Sequence, residues 1–451
     1  MRKQTELSKT WIFKYLGAAI LILVPLYPKF PLFGVSGTFV SIRFEDILLA
    51  LAGILVIVTS VSNWKDILRD RLLASIFLFF VVGLTSLLSG AYLTQTVVPK
   101  IGFLHWLRRI EYVIPLFLGL EIVKRKIRID FYLKILLLVI FLCFLYGFGQ
   151  KNFGWPIIIT QNEEYSKGIA LRWISGSHIN STFAGHYDLS TFLVLSLPII
   201  VSSFFLLKGK ITKLILGSAY FSGMWLLVNS ASRISLFSYL LSTLIALVLI
   251  RKYKEMVLII LISLIFVGFS SNLLDRYSRL FEVVKSNLQS NHQFVPSVFA
   301  TDGGSLRKMD VTSTPTPVPA PLEDRSTNIR LNVEWPRALR AFYKNPLLGT
   351  GYSSITLATD NDYLRALGET GILGLLAFLL IIFGIINKFL SVLPLDKNFS
   401  GLNLAFMAGL LGSLPGLLVN AVFIDIFEAS KFALIFWFFI GLALKLSHEK
   451  S

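Results

Sequence analysis

The chain has 451 residues, of which 55% are apolar and 15% charged, with a formal net charge of +17 and a mean hydropathy of +0.71. A soluble domain of this length is excluded, because no core of that size would hold so much apolar surface. The single cysteine, Cys143, excludes an intramolecular disulfide, and His105, His178, His186, His292 and His448 show no HxxxH or HExxH spacing, so no metal site is expected.

A helix needs about 20 apolar residues to cross a bilayer. In chain order, such runs fall at roughly 11–28, 44–62, 72–93, 108–123, 130–149, 188–207, 211–229, 234–250, 255–271, 371–390, 401–421 and 430–446. The expected fold is therefore an all-α integral membrane protein with about 12 transmembrane helices and a long extracytoplasmic loop between helices 9 and 10. The fourth run is short and carries Glu111 and Glu121. The first run is long and lacks a small-residue cleavage site, so it reads as an anchor. Basic residues collect in alternate short loops: Arg2/Lys3/Lys9, Lys65/Arg69/Arg71, Lys124/Arg125/Lys126/Arg128, Lys208/Lys210/Lys213 and Arg251/Lys252/Lys254, then Lys388/Lys397 and Lys445/Lys450. Twelve spans put all of these on one side. The positive-inside rule makes that side the cytoplasm and places both termini there. The positive charge is thus spread as a topology signal, and no nucleic-acid partner is expected.

Three segments follow. Residues 1–271 hold the first nine runs, with an outer loop at 150–187; 272–370 form the long outer loop; and 371–451 hold the last three runs. Within the long loop, 301–328 includes TSTPTPVPAP, a composition that buries no core and predicts a flexible insert. Pro336 then suits the first turn of a helix over 334–344. Its Ala338, Leu339, Phe342 and Tyr343 make an apolar face, and Arg337, Arg340 and Lys344 a basic stripe suited to the bilayer interface. Gly349 and Gly351 mark a turn, and Asp360 or Asn361 suits the cap of a second helix over 361–370 that runs into the tenth span. Asp362–Arg365 and Arg365–Glu369 have the spacing of internal pairs.

Charged and aromatic residues on the outer side fall into three groups. The first is RWISGSHINSTFAGHYDLS, with Arg172, His178, His186 and Asp188. The second is NSASRISLF, with Arg233 at a helix start. The third is the segment from Arg330 to Gly374. Taken in order, Ser232-Arg233, Arg330, Trp335, the Pro346-Leu347-Leu348-Gly349-Thr350-Gly351 turn and Asp360-Asn361-Asp362-Tyr363-Leu364 resemble the O-antigen ligase/polymerase superfamily of bacterial membrane glycosyltransferases.

That resemblance implies transfer of a glycan from an undecaprenyl-diphosphate-linked donor to a hydroxyl of a glycan, lipid or protein acceptor. The reaction would take place on the outer face of the bacterial cytoplasmic membrane, without a metal or other cofactor. Carried over by position, Arg233 and Arg330 match the arginines near the diphosphate. Asp360 stands where a ligase has a histidine, just before Asn361, which leans toward a polymerase-like or divergent member. Asp360 and Asn361 are the catalytic candidates, and an oriented aspartate is a competent general base. Arg172, His186, Trp335, Arg337 and Arg340 join Arg233 and Arg330 as substrate-binding candidates. Guanidinium forks match phosphate oxygens and keep their charge at any relevant pH. Fixed positive charge where a leaving diphosphate gains negative charge lowers the barrier.

Plainer readings stand beside these. Arg233 suits a headgroup anchor, Arg330 a solvated loop charge, and the Arg337/Arg340/Lys344 stripe a membrane-facing surface. Asp360 and Asn361 suit a helix cap, Trp335 an interface anchor, and His186 a structural hydrogen bond. Gly349 and Gly351 suit a turn rather than a phosphate cradle. The competing function is a twelve-span transporter or lipid-linked glycan flippase. Against it, no internal repeat is visible, the connection after the sixth run is only KGKIT, and charges deep within the runs are scarce.

Overall fold

The computed structural model describes residues 2–38, 40–60, 70–157, 171–172, 174, 177–269, 278, 325–355 and 358–448. The predicted insert at 301–328 lies outside these up to residue 324, as does much of the outer loop at 150–187. Helices occupy every apolar run: α1 (Arg2–Leu26), α2 (Phe44–Ser60), α3 (Arg71–Leu88), α4 (Pro99–Lys124), α5 (Ile129–Asn152), α6 (His186–Leu206), α7 (Lys210–Asn229), α8 (Arg233–Leu249) and α9 (Tyr253–Gly268). After the loop come α10 (Arg325–Ile329), a π turn (Arg330–Glu334), α11 (Trp335–Lys344), α12 (Asp362–Leu390), α13 (Leu395–Asn398), α14 (Gly401–Asn420) and α15 (Ser430–His448). Among the described residues, seven helices are long and apolar enough to cross a membrane. The molecule is an all-α membrane protein in its architecture. Among the described residues two short strand pairings interrupt that pattern: the hairpin in which β1 (Pro31–Gly34) pairs antiparallel with β2 (Ser41–Arg43), and the antiparallel pairing of β3 (Pro156–Ile157) with β4 (Leu171–Arg172).

Local sequence explains where the helices begin. Asp70 caps α3, its Oδ1 accepting from the Leu72 amide at 2.9 Å, and Ser232 caps α8 by accepting from the Ser235 amide at 3.3 Å. Both satisfy amides that a helix start leaves open. Pro99 opens α4 nine residues before the predicted fourth run. That extra length carries His105 on the same ordered helix as Arg108 and Arg109, which sit at the very start of the predicted run. Packing uses small residues: a Cβ on Gly416 would strike the backbone of Ser238, and one on Gly441 the backbone of Leu116. In a bilayer, such close approach is a principal source of helix association.

The helix ends sort into two groups. At one end, Lys431 Nζ donates to the carbonyls of Pro25 at 3.0 Å and Thr182 at 2.7 Å. There too, Ser235 Oγ donates to Asn420 Oδ1 at 3.2 Å, and the Asp362 amide to the Ala421 carbonyl at 2.9 Å. This gathers the close of α1 and α14 with the starts of α6, α8, α12 and α15. At the other end, Lys388 pairs with Asp70 and Arg251 with Asp396.

A break in α12 shapes the first end. Gly371 has φ 67° and ψ −170°, so the helix stops and restarts there. The Pro346–Gly351 turn fills the gap. Amides of Thr350 and Gly351 donate to the carbonyls of Gly368 (3.0 Å) and Glu369 (2.8 Å), and those of Ile372 and Leu373 to the carbonyls of Pro346 (2.9 Å) and Leu347 (3.3 Å). A Cβ on Gly349 or Gly371 would collide with the facing backbone, so both positions require glycine. The turn amides serve the broken helix, which makes the turn reading of Gly349 and Gly351 the one the structure adopts.

Candidate active site at one end of the bundle

A cavity of about 270 Å³ opens where those helix ends meet. Lys29, Arg43, Arg108, Arg109 and Arg365 face it, together with Asp188, Asp360, Asp425 and Glu428. Two apolar spaces adjoin it. One, between α3, α4 and α12, shares Arg109, Tyr112 and Glu428 with the cavity. The other, of about 540 Å³ between the first hairpin, α2 and α4, shares Arg108. Mixed charge at a helix-end cavity that continues into apolar grooves suits a ligand with an ionic head and a hydrocarbon chain.

Arg330 and Asp360 meet at this end. Arg330 Nε and Nη2 donate to Asp360 Oδ2 at 3.0 and 2.8 Å, and Nη2 also donates to the Tyr187 hydroxyl at 3.0 Å. The Arg330 side chain is only 10% exposed, so it is not the solvated loop charge of the plainer reading. Burial opposes its charge, but Tyr187 and Asp360 outweigh burial and hold the guanidinium firmly cationic. Burial raises the Asp360 carboxyl above its ordinary value, and Arg330 works against that rise. Both arginine donors go to the same oxygen, Oδ2, leaving Oδ1 uninvolved in the fork. The π turn that begins at Arg330 is itself a rare geometry that concentrates at functional sites.

Asp360 has φ 49°, in the left-handed region. The turn is held from the 421–429 connection. Asp425 Oδ2 accepts from the Thr359 amide and Oδ1 from the Asn361 amide, both at 2.8 Å. Asn361 caps α12, with Oδ1 accepting from the Leu364 amide at 2.9 Å. Its side chain therefore does the capping, while Asp360 is left for Arg330. Asp362 does not pair with Arg365 as the spacing suggests. Its carboxylate accepts from the amides of Ile426 (2.8 Å) and Phe427 (3.2 Å), because the connection folds back over the start of α12. Arg365 lies 3.1 Å from Asp425, 3.6 Å from Glu369 and 3.7 Å from Glu428, and Arg109 also pairs with Glu428. Burial alone would raise the Glu428 carboxyl, but Arg109 and Arg365 hold it below its ordinary value.

The other candidates are placed less centrally. Arg233 is the first residue of α8 and half-buried, and it does not line the cavity. His186 opens α6, its ring stacked on His178 (centroids 3.9 Å apart) and tilted against Tyr187 (4.0 Å), the tyrosine that holds Arg330. Trp335 lies 6.3 Å from Phe423 between ring centroids, with its indole N–H buried and unpartnered. Arg337 is half-buried, with Nη1 buried and unpartnered, whereas Arg340 is exposed. Arg172 lies in β4, and its side chain is outside the described residues. Among the described residues no group of three or more His, Cys, Asp or Glu side chains is placed to hold a metal ion.

Sequence reasoning missed Arg109, Asp425, Glu428 and the fully buried Lys431. A signal was present: Arg108-Arg109 abuts an apolar run, and FIDIFEASK sets two acids and a lysine between the last two runs. Ionisable residues in such places are functional candidates by default. The scarcity of deep charge read from the sequence gives way here to a buried ionic network, because helix ends and turns supply its counter-charges and carbonyls.

No curated protein matches the chain. Residues 216–379, from within α7 to within α12, match the family model described as O-antigen ligase. The matched stretch carries Arg233, the π turn with Arg330 and the Asp360–Asn361 cap, and it supports the resemblance of this chain to the O-antigen ligase/polymerase superfamily.

Proposed function

We propose that the protein transfers glycan from an undecaprenyl-diphosphate-linked donor to an acceptor hydroxyl on the outer face of the bacterial cytoplasmic membrane, with the helix-end cavity as its active site. The observation that carries this reading is the buried Arg330–Asp360 fork beside a cavity of mixed charge. The adjoining apolar spaces suit the prenyl chain of the donor.

In the reaction, the acceptor oxygen attacks the anomeric carbon of the donor sugar. The bond from that carbon to the diphosphate oxygen breaks, and undecaprenyl diphosphate leaves with the electron pair. Asp360 takes the hydroxyl proton and later gives it to water. Burial raises its affinity for protons, the direction that favours a general base. Arg330, with Arg233 from the neighbouring helix start, balances the charge that grows on the leaving group. Bound diphosphate would draw Arg330 from Asp360 and free that carboxylate for the acceptor. Asn361 keeps the turn in place through the α12 cap. Twelve spans with both termini in the cytoplasm remain the topology that places this end outside.

The test is incubation of purified protein with undecaprenyl-diphosphate-linked oligosaccharide, with and without a second acceptor. A ladder of products without added acceptor identifies a polymerase, and a single product that needs acceptor identifies a ligase. Movement of the lipid across the bilayer with no glycan transfer would overturn the proposal in favour of a flippase. Loss of transfer in Arg233→Ala would support its place at the diphosphate, and near-normal transfer would remove it.

A further inference from the structure

We propose that Asp425 is the positioning residue for Asp360, an inference that rests on the reading of Asp360 as the base. Three observations carry it. The Asp425 carboxylate binds the two backbone amides that flank Asp360, those of Thr359 and Asn361, each at 2.8 Å and each through a different oxygen. Between them Asp360 adopts φ 49°, a conformation a non-glycine residue keeps only when its surroundings impose it. Asp425 is in turn held by Arg365, 3.1 Å away, whose guanidinium also faces Glu428 and Glu369. The turn is thus gripped from both sides by one carboxylate, and that carboxylate is anchored to α12.

The geometry has a chemical consequence. Two amides donating to a single carboxylate fix the backbone on both sides of the residue between them. Here that residue meets Arg330, the first residue of the π turn. Asp425 therefore sets where the Asp360 carboxyl stands relative to both Arg330 and the cavity, without a need to touch substrate itself. An asparagine at 425 keeps the shape and one acceptor oxygen. Its amide group would face the N–H of either Thr359 or Asn361, donor against donor, and release one side of the turn. Arg365 keeps two carboxylates in that variant, so the buried cation is not stranded.

The experiment uses full-length protein in nanodiscs, with glycan transfer measured for wild type, Asp425→Asn, Asp360→Asn and the double variant. Asp425→Asn is expected to lower kcat by roughly tenfold to a hundredfold, the cost of misplacing a reacting group by about 1 Å. The donor KM should stay within about threefold, since the diphosphate contacts remain. In the Asp360→Asn background the same substitution should lower kcat no further, because a residue that acts through Asp360 has nothing left to position. Amide hydrogen exchange at 359–361 should speed up in Asp425→Asn by a larger factor than at amides elsewhere in the bundle. An equal fold-loss in both backgrounds, or unchanged exchange at these amides, would overturn the positioning role alone. Full activity of Asp360→Asn would overturn the base assignment, and this proposal with it.

Discussion

The two ends of the helical bundle carry charge in different ways. At the cavity end, Arg330–Asp360, Arg365–Asp425 and Arg109–Glu428 are formed by side chains between 8% and 21% exposed. At the other end, exposure ranges from 18% and 10% in Arg125–Glu121 and 23% and 24% in Lys388–Asp70 to 59% and 31% in Arg251–Asp396 and 72% and 38% in Lys134–Asp130. Exposed pairs are worth about 0–1 kcal/mol, whereas breaking a buried one by removing a partner costs about 3–5 kcal/mol. Charge count therefore says little about where a site lies. Convergence of several buried pairs on one cavity says more, because each such pair is costly to keep out of water.

The comparison is sharpest at Arg330. Arg330→Ala should reduce glycan transfer by about 100-fold or more, the scale for removing one preorganised electrostatic contact. It should also lower stability by about 3–5 kcal/mol, since Asp360 is left buried without its counter-charge. Transfer kinetics together with denaturant unfolding would measure both effects. Wild-type behaviour on both would make the cavity end no different from the other. Arg330→Lys should recover part of the stability and less of the activity, as lysine keeps the charge but loses the fork.

Next in size is the helix break. Gly371→Ala forces a Cβ into the Leu347 backbone at a positive φ, and should cost about 1–3 kcal/mol. The thermal midpoint checks this, and an unchanged value would mean that the Pro346–Gly351 turn yields freely.

A smaller effect is a pH slope. Burial, reinforced by the Asp360 charge, pushes Glu334 up to about 7. An acid whose folded value lies above its unfolded one holds its proton more tightly when folded. Its charge thus penalises the folded state as pH rises from about 4.5 through about 7, and the penalty is constant above that. The wild-type thermal midpoint should fall across this window more than that of Glu334→Gln, and parallel curves would show that Glu334 titrates normally. The smallest effect belongs to the opposite end, where Arg251→Ala should change stability by less than about 0.5 kcal/mol and leave transfer intact. A large loss there would erase the distinction between the two ends.

Asp360 and Asn361 show how far local reading reaches. Both residue types favour a helix cap, and either assignment was open from the sequence. The structure gives the cap to Asn361 and turns Asp360 out to Arg330. Arg365 shows the limit from the other side. Its i, i+4 partner Glu369 was legible from spacing, but Asp425, 60 residues away, was not. Nor was the expected Asp362–Arg365 pair correct, because the amides of Ile426 and Phe427 take that carboxylate.

What the sequence determined by itself is what depends on neighbours along the chain: the apolar runs that became helices, and the helix start at 360–361 where a cap was due. These follow from hydrophobic length and from backbone groups that must be satisfied within a few residues. Only the tertiary structure decided which charges share a cavity. Tyr187 and Arg330 are 143 positions apart, and Asp425 reaches Asp360 only because α14 returns the chain to the end where α12 begins. Such meetings depend on how helices pack, and packing is set by side-chain fit across the whole bundle rather than by any one segment.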